Sequence, residues 1–230
     1  MQLKLCKTFL NKDTRQAPGA PASGKQETAV VKSASVNSSC FNPCSKYVKQ
    51  LATVDESGKL VIWDSLKGQK LIEEPSVANS PLNSVSIERE GKIVGCGGID
   101  MKIHVFRINN QGLNKKEKVR SIEKVRELSG HMGDINAIRF LNQQFVVSAS
   151  NDSQILLWDL ENSGRFIVKY GQHQDNVVSL DTFSLDGNVM ASGSNDATIR
   201  IWDIRMKSPC IRLFSKNKTG ISSVKFMPDK

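Results

Sequence analysis

Two sets of side chains that could carry out chemistry recur along this chain in the same order. They are His131, Ser148, Asp152, Trp158 and His173, Ser192, Asp196, Trp202. Serine, histidine and aspartate are the residue types of nucleophilic hydrolases, in which the histidine activates the serine hydroxyl. A nucleophile need not occur twice, whereas buried hydrogen bonds from tryptophan to serine, histidine and aspartate would satisfy the donors of a repeated unit. We therefore interpret both sets as structural networks and predict no catalytic residues.

The two sets lie inside a longer stretch of sequence that occurs twice. Residues 147–159 reappear as residues 191–203, 44 positions later, and both copies end in Trp-Asp. A self-match with a period of about 40–45 residues and this ending is typical of the four-stranded blades of a β-propeller. The repeat predicts an all-β protein. In each unit the histidine should precede the first strand, the serine should lie on the second, the aspartate in the next turn and the tryptophan on the third.

Two earlier units follow the same plan with substitutions. Residues 58–65 predict a strand that contains Trp63 and Asp64, and Phe106 takes the tryptophan position 43 residues later. Neither unit shows the full polar set, so we expect these two blades to be less rigid. Residues 211–214 and 221–226 predict two further strands, which makes about four and a half blades. Because an open array leaves bare strand edges, we expect a fragment, a truncated gene model or a short isoform.

Charge and cysteine content narrow the range of functions. The 230 residues carry a formal net charge of +9, which suits an acidic partner, nucleic acid or an anionic membrane surface. The positive charges are dispersed, so we expect a generally basic soluble protein without a nucleic-acid partner. Five cysteines without a CxxC motif predict reduced intracellular thiols, no metal site and no cofactor. Neither a signal peptide nor an apolar run of about 18 residues is visible, so we predict a cytoplasmic or nuclear protein.

Composition divides the chain into segments. Residues 1–36 contain six Lys or Arg against two acids together with a run rich in Ala, Pro and Gly, which predicts a flexible basic N-terminal segment. Residues 37–230 should form the propeller blades, with a basic insertion at 109–126. That insertion is interpreted either as a solvated loop, with or without a helical part, or as a patch for nucleic acid or lipid. It contains no aromatic side chain for base stacking, which favours the solvated loop.

Three further motifs narrow the family. Residues 58–65, 94–100 and 126–133 read GKLVIWDS, VGCGGID and RELSGHMG. In these segments the chain resembles WD-repeat propellers, and more narrowly the β subunit of heterotrimeric G proteins. The resemblance implies a seven-bladed propeller whose top face binds a G-protein α subunit until that subunit takes GTP, after which the β subunit engages effector proteins. It also implies a γ subunit bound through an N-terminal coiled coil, although no heptad pattern runs through residues 1–36.

The resemblance also suggests which residues would face the α subunit. Leu82, Ile99 and Val178 keep an apolar character where the family has Leu or Met, and Asn176 stands where the family has Asp. Ser80 stands where a Trp is usual, and Asp134 where a Tyr is usual. Aromatic side chains often dominate the energy of an interface.

The resemblance predicts a non-catalytic signalling protein. Its expected partners are a G-protein α subunit, a γ subunit and effectors, and we expect it in the cytoplasm, reaching the plasma membrane's inner face only through partners. The alternative is a WD-repeat scaffold for other protein complexes. A hydrolase and a nucleic-acid-associated propeller are the remaining hypotheses, and the repeated polar sets and dispersed charge favour neither.

Overall fold

The described part of the chain is built from β-strands. The computed structural model describes residues 34–44, 49–109, 121–162, 164–183 and 186–227. These belong to the second of two compact units, Ala34–Lys230, the first being Met1–Ser33. Within those ranges there are sixteen strands and no helix. The strands are β1 (Val36–Phe41), β2 (Gln50–Asp55), β3 (Leu60–Asp64), β4 (Gln69–Glu74), β5 (Leu82–Ile87), β6 (Ile93–Gly98), β7 (Lys102–Asn109), β8 (Ser121–Ser129), β9 (Ile135–Phe140), β10 (Phe145–Ser150), β11 (Ile155–Asp159), β12 (Phe166–Tyr170), β13 (Val177–Thr182), β14 (Val189–Ser194), β15 (Ile199–Asp203) and β16 (Cys210–Phe214).

Consecutive strands pair in fours. Each group of four forms an antiparallel sheet in chain order, from β1-β2-β3-β4 to β13-β14-β15-β16, and we call these sheets blades 1 to 4. The first strands of the blades, β1, β5, β9 and β13, neighbour one another in that order. Radially repeated four-stranded sheets are the architecture of a β-propeller. The predicted fold class is therefore confirmed, with four blades among the described residues.

A repeated asparagine links each blade to the next. On the first three blades the second residue of the first strand is an asparagine, and its side-chain amide donates a hydrogen bond to the carbonyl that begins the next blade's first strand. The donors and acceptors are Asn37 to Leu82, Asn83 to Ile135 and Asn136 to Val177, at 3.0, 3.2 and 3.0 Å. These bonds hold the beginnings of the first strands side by side, although their backbones do not form a ladder.

The apolar core lies between the blades. Strand β11 shows why, because successive side chains of a strand point to opposite faces. Ile155 and Leu157 pack in a cluster with blade 4, whereas Leu156 and Trp158 pack in a cluster with blade 2. A third cluster joins blades 1 and 2, with Leu60 and Leu82 among its fully buried members. Each blade therefore depends on its neighbour to bury its faces.

All four blades present their turns at one shared end. Because neighbouring strands are antiparallel, the start of each first strand and the turn between the second and third strands lie at the same end of the blade. We call this the turn end. In blades 2 to 4 the turn has a non-glycine residue in the left-handed region, Met101, Ser153 and Ala197, with φ between 61° and 63°, while blade 1 has Gly58 there.

The structure differs from the sequence-based prediction in two segments. The basic insertion expected at 109–126 is too long, because residue 109 ends β7 and residues 121–126 already pair with it as part of β8. Residues 110–120, like residues 1–33, lie outside the described residues. The strand predicted at 221–226 is also wrong, since this segment is irregular and finds no strand to pair with among the described residues. It is held instead by the buried Asp181 carboxylate, which accepts hydrogen bonds from the Lys225 ammonium and the Phe226 amide.

Candidate functional site

The first polar set forms one continuous chain of hydrogen bonds in blade 3. Trp158 Nε1–H on β11 donates to Ser148 Oγ on β10 at 2.8 Å, and the serine hydroxyl lies 2.7 Å from His131 Nε2. His131 Nδ1 lies 2.8 Å from a carboxylate oxygen of Asp152, in the turn after β10. Since tryptophan can only donate and a carboxylate can only accept, the serine hydroxyl donates to Nε2 and the histidine carries its proton on Nδ1.

Blade 4 repeats the same geometry with one addition. Trp202 Nε1–H donates to Ser192 Oγ at 2.8 Å, and His173 bridges that hydroxyl and the Asp196 carboxylate at 2.7 and 2.8 Å. The Thr198 hydroxyl also donates to Asp196 at 2.6 Å. Two blades built from different loop sequences thus converge on the same four-residue network, which is what a repeated structural requirement produces.

The charges of these networks are set by burial and hydrogen bonding. Burial alone would raise the pKa of the Asp152 carboxyl, but hydrogen bonds from His131 and from the Met132 amide outweigh it and lower that pKa to about 2. For Asp196, burial also acts upward, and the Thr198 hydroxyl and the Gln174 amide bring the pKa well below its usual value. Burial lowers the pKa of the His173 imidazole, and the neighbouring Asp196 only partly restores it. Ionised Asp152 and Asp196 and a neutral His173 are therefore the stable states.

The two serines are not presented to a substrate. Ser148 and Ser192 have no exposed surface, and neither do the tryptophans that bond to them, Trp158 and Trp202. Each serine oxygen accepts from a tryptophan and donates to a histidine, so its hydrogen bonding is complete inside the blade. A nucleophile needs a path to its substrate and an oxyanion site beside it. The arrangement holds the first-strand loop, the turn and the third strand together.

Blades 1 and 2 replace parts of the network. In blade 1, Trp63 Nε1–H donates to Thr53 Oγ1 at 2.8 Å, and no histidine completes the chain within the described blade. In blade 2 the serine position holds the buried Cys96, yet the turn aspartate still has an imidazole: His104 Nε2 lies 2.6 Å from Asp100. His104 comes from the third strand, β7, rather than from the loop before the first strand. The sequence signal was available, because His104 stands two residues before Phe106 and so shares its face of the strand.

The residues predicted to face an α subunit have unequal exposure. Ile99 lies in the turn between β6 and β7 and is 44% exposed. Asn176 and Val178, at the beginning of blade 4's first strand, are half-buried at the same end but two blades away. The prediction for Leu82 is wrong, because this side chain is completely buried in the cluster between blades 1 and 2 and cannot reach a partner.

Sequence reasoning missed two apolar side chains at the turn end. Met101 in the same turn as Ile99 is 42% exposed, and Met132 in the loop before β9 is 87% exposed. Large apolar side chains exposed close together in sequence and at one end of a fold are typical of a protein-binding surface. Each methionine directly follows a network residue in the sequence, since Asp100 precedes Met101 and His131 precedes Met132. This position beside a network residue is the sequence feature from which both could have been predicted.

The described residues offer neither a metal-binding cluster nor a membrane-spanning helix. No group of three or more His, Cys, Asp or Glu side chains in the described ranges is arranged to hold a metal ion. The same ranges contain no helix long and apolar enough to cross a membrane.

Comparison with known proteins decides the family. Residues 26–64, 122–159 and 164–203 match the family model described as "WD domain, G-beta repeat", and together they make up half of the chain. The chain belongs to the WD-repeat family. The matched ranges end with the third strands of blades 1, 3 and 4, and the second and third ranges begin at the fourth strand of the preceding blade. Strands β5 to β7 of blade 2, in which Phe106 replaces the tryptophan, lie outside them.

Individual relatives of this WD-repeat protein carry one name. It is 30% identical to "Guanine nucleotide-binding protein subunit beta" of Oryza sativa subsp. japonica, over 78% of this chain and 47% of the relative. It is 31% identical to the protein of the same name from Dictyostelium discoideum, over 62% of this chain and 38% of the relative. The chain thus spans less than half the length of these relatives, and it is a divergent WD-repeat protein similar to G-protein β subunits.

Proposed function

We propose that this WD-repeat protein is a non-catalytic, G-protein β-like signalling component whose turn end binds a G-protein α subunit. The observation that carries the proposal is the similarity, at about 30% identity, to proteins from a plant and from Dictyostelium that are both named subunit beta. The name of those relatives describes a subunit of a guanine nucleotide-binding protein. An α subunit is the partner that the family resemblance implies, and effector proteins would bind the same end after its release.

The turn end supplies a surface suited to that role. Ile99 and Met101 project from a turn whose backbone is fixed by Asp100, which accepts hydrogen bonds from the Lys102 amide and from His104. A rigid turn presents its apolar side chains without a large loss of conformational entropy on binding. Fully burying an exposed side chain of this size contributes roughly 1.5–3 kcal/mol, and covering the 44% of Ile99 that is exposed contributes roughly 1 kcal/mol.

The remaining partners follow from the same proposal. A γ subunit would bind through the N-terminal segment, whose residues 1–33 lie outside those described. We propose that the protein acts in the cytoplasm and reaches the inner face of the plasma membrane only through its partners. The net charge of +9 would then serve solubility and attraction to acidic protein surfaces rather than nucleic-acid binding.

Capture by an α subunit in its two nucleotide states tests the proposal. Immobilised α subunit loaded with GDP should retain the full chain, and the same α subunit loaded with a non-hydrolysable GTP analogue should release it. Replacing Ile99 with Ala should weaken capture by roughly tenfold, the loss expected for a central apolar contact. Ile167 on β12, an outermost strand, is 51% exposed, so Ile167→Ala is the matched control and should change nothing.

Two results of the capture experiment would contradict the proposal. Capture that is absent or equal under both nucleotides would contradict an α-binding role, and so would an equal effect of the two isoleucine substitutions.

A WD-repeat scaffold for other protein complexes is the second candidate. The observation that favours it is the turn end itself, where Leu82 is buried and Ser80 and Asp134 stand where the resembled family has aromatic side chains. The purified chain, with a cross-linker attached at position 132, is added to a cell extract and the proteins that become linked to it are identified. Their identity would distinguish the α-binding function from the scaffold function. Recovery of α subunits supports the first, and their absence beside a reproducible set of other proteins supports the second.

A further inference from the structure

A polar cavity lies at the turn end of blade 2. Its volume is about 480 Å³, and its lining is Ser76, Val77, Ala78, Asn79, Ser80, Asp100, Lys102, His104 and Glu127. The cavity has a clear origin in the repeat. His131 and His173 stand four residues before the first strands of blades 3 and 4, and the corresponding residue before β5 is Ala78. Where blades 3 and 4 place an imidazole ring, blade 2 places a methyl group.

Two buried polar atoms of the lining have no hydrogen-bond partner among the described residues: His104 Nδ1 and Ser80 Oγ. His104 is only 2% exposed. Its Nε2 lies 2.6 Å from the Asp100 carboxylate and so carries the proton, which leaves a lone pair on Nδ1. Nδ1 faces the Glu127 carboxylate, another lining group, at 3.7 Å. A buried acceptor facing a second acceptor calls for a donor between them.

The charges around the cavity favour a cation of particular shape. Asp100 and Glu127 contribute two carboxylates, and hydrogen bonds from Lys102 and Lys124, at 2.6 Å each, lower the pKa of Glu127 to about 2, so it stays ionised. Lys102 is the cation among the described lining residues, and its ammonium is already bound to Glu127. Each of the four carboxylate oxygens already accepts one hydrogen bond and keeps a second lone pair. These lone pairs, Nδ1 and the lone pairs of Ser80 Oγ are the acceptors that a ligand would meet.

We propose that this cavity binds a guanidinium group, presented as an arginine side chain by a partner protein. A guanidinium is planar, carries five N–H donors and no acceptor, and matches several acceptors at once. An anion would meet two carboxylates. The volume is in the range of about 300–1,000 Å³ typical of ligand pockets. The proposal does not depend on the identity of the proposed α subunit.

A titration of the full chain with small probes tests it. N-acetyl-arginine amide is added while the imidazole signals of His104 and the backbone signal of Ser80 are followed by NMR. N-acetyl-citrulline amide has the same shape without the charge, and N-acetyl-lysine amide has the charge without the planar fork. The arginine probe should shift both signals, and each of the other probes should bind roughly tenfold more weakly, as expected when a charged bidentate contact is lost.

Two variants keep the test falsifiable even if one of them folds poorly. Ala78→His supplies the side chain that fills this space in blades 3 and 4 and should abolish the arginine shifts. Glu127→Gln keeps the shape of the wall and should weaken binding, whereas Glu123→Gln, on the same strand but outside the cavity lining, is its matched control. Equal binding of arginine and citrulline probes would overturn the proposal. Arginine shifts that persist in Ala78→His would overturn it as well.

Discussion

Replacing Ser148 with Ala should show how much the buried network stabilises the protein. The serine oxygen is the junction of the network in blade 3, because it accepts from Trp158 Nε1 and donates to His131 Nε2. Removing it leaves one buried donor and one buried acceptor, and neither side chain has contact with water, since the Trp158 residue and the His131 side chain are both fully buried. His131 keeps its hydrogen bond to Asp152.

The size of the effect follows from these two orphaned atoms. An unsatisfied buried polar group costs about 1–3 kcal/mol, so two of them in Ser148→Ala should lower the free energy of unfolding by about 2–6 kcal/mol. Urea unfolding at pH 7, followed by tryptophan fluorescence, would report this as a midpoint lower by about 1–3 M, given a typical slope of about 2 kcal/mol per M.

Blade 1 offers the matched control. Thr53 Oγ1 accepts a hydrogen bond from Trp63 Nε1 at the same distance of 2.8 Å, but Trp63 is half-buried and no histidine follows in the network. Thr53→Ala should therefore cost only about 1 kcal/mol, as for a single partly hydrated hydrogen bond. A Ser148→Ala protein within about 0.5 kcal/mol of the parent would refute the reasoning. So would a Thr53→Ala protein that loses as much as Ser148→Ala.

Four further results are expected. Ala197→Gly should stabilise the protein by about 0.5–1 kcal/mol in thermal unfolding. The left-handed conformation costs a non-glycine residue about 1–2 kcal/mol, and the larger entropy that glycine loses on folding cancels part of the gain. Gly58→Ala should destabilise the protein, because the new Cβ would collide with the backbone of the loop before β5. Stability should fall as the pH is lowered below 6.5, because burial lowers the pKa of His173 from 6.5 in the folded protein. It should fall again between about pH 4 and 2, because folding lowers the pKa of Asp152 from 3.8 to about 2. A urea midpoint that is constant from pH 7 to pH 2 would contradict this. Burial and the negative charge of Asp100 both raise the pKa of the Cys96 thiol. Iodoacetamide should therefore leave Cys96 unmodified in the native protein and label it in urea, as measured by mass spectrometry. Labelling of the native protein would show that blade 2 opens readily.

The blades that could be predicted from sequence are those whose determinants are local. The network of blade 3 runs from His131 to Trp158 within one repeat, and its exact recurrence in blade 4 exposed both the period and the roles of the residues. Strand alternation is equally local, so the four-stranded sheets followed from the same pattern.

Two of the misses have a common physical cause, which is dependence on a neighbouring blade. Leu82 is apolar and begins a strand, but whether it faces solvent is decided by blade 1, which packs over it. Residues 221–226 have a strand-like pattern, yet a strand forms only where another strand offers its backbone groups. His104 is a separate case within one blade: it binds the turn aspartate, and Ala78, which stands where blades 3 and 4 have a histidine, lies 26 positions earlier in the chain.

The apolar clusters between the blades predict which blades unfold locally most often. Blades 2 and 3 each contribute to two of the described clusters, whereas blades 1 and 4 each share one with a described neighbour. Local opening of a middle blade therefore exposes two apolar interfaces at once, and its amide hydrogens should exchange with solvent more slowly than those of its neighbours. Stability in such an array is a sum over adjacent pairs, so protection against exchange is a property of position in the row as much as of any blade's own sequence.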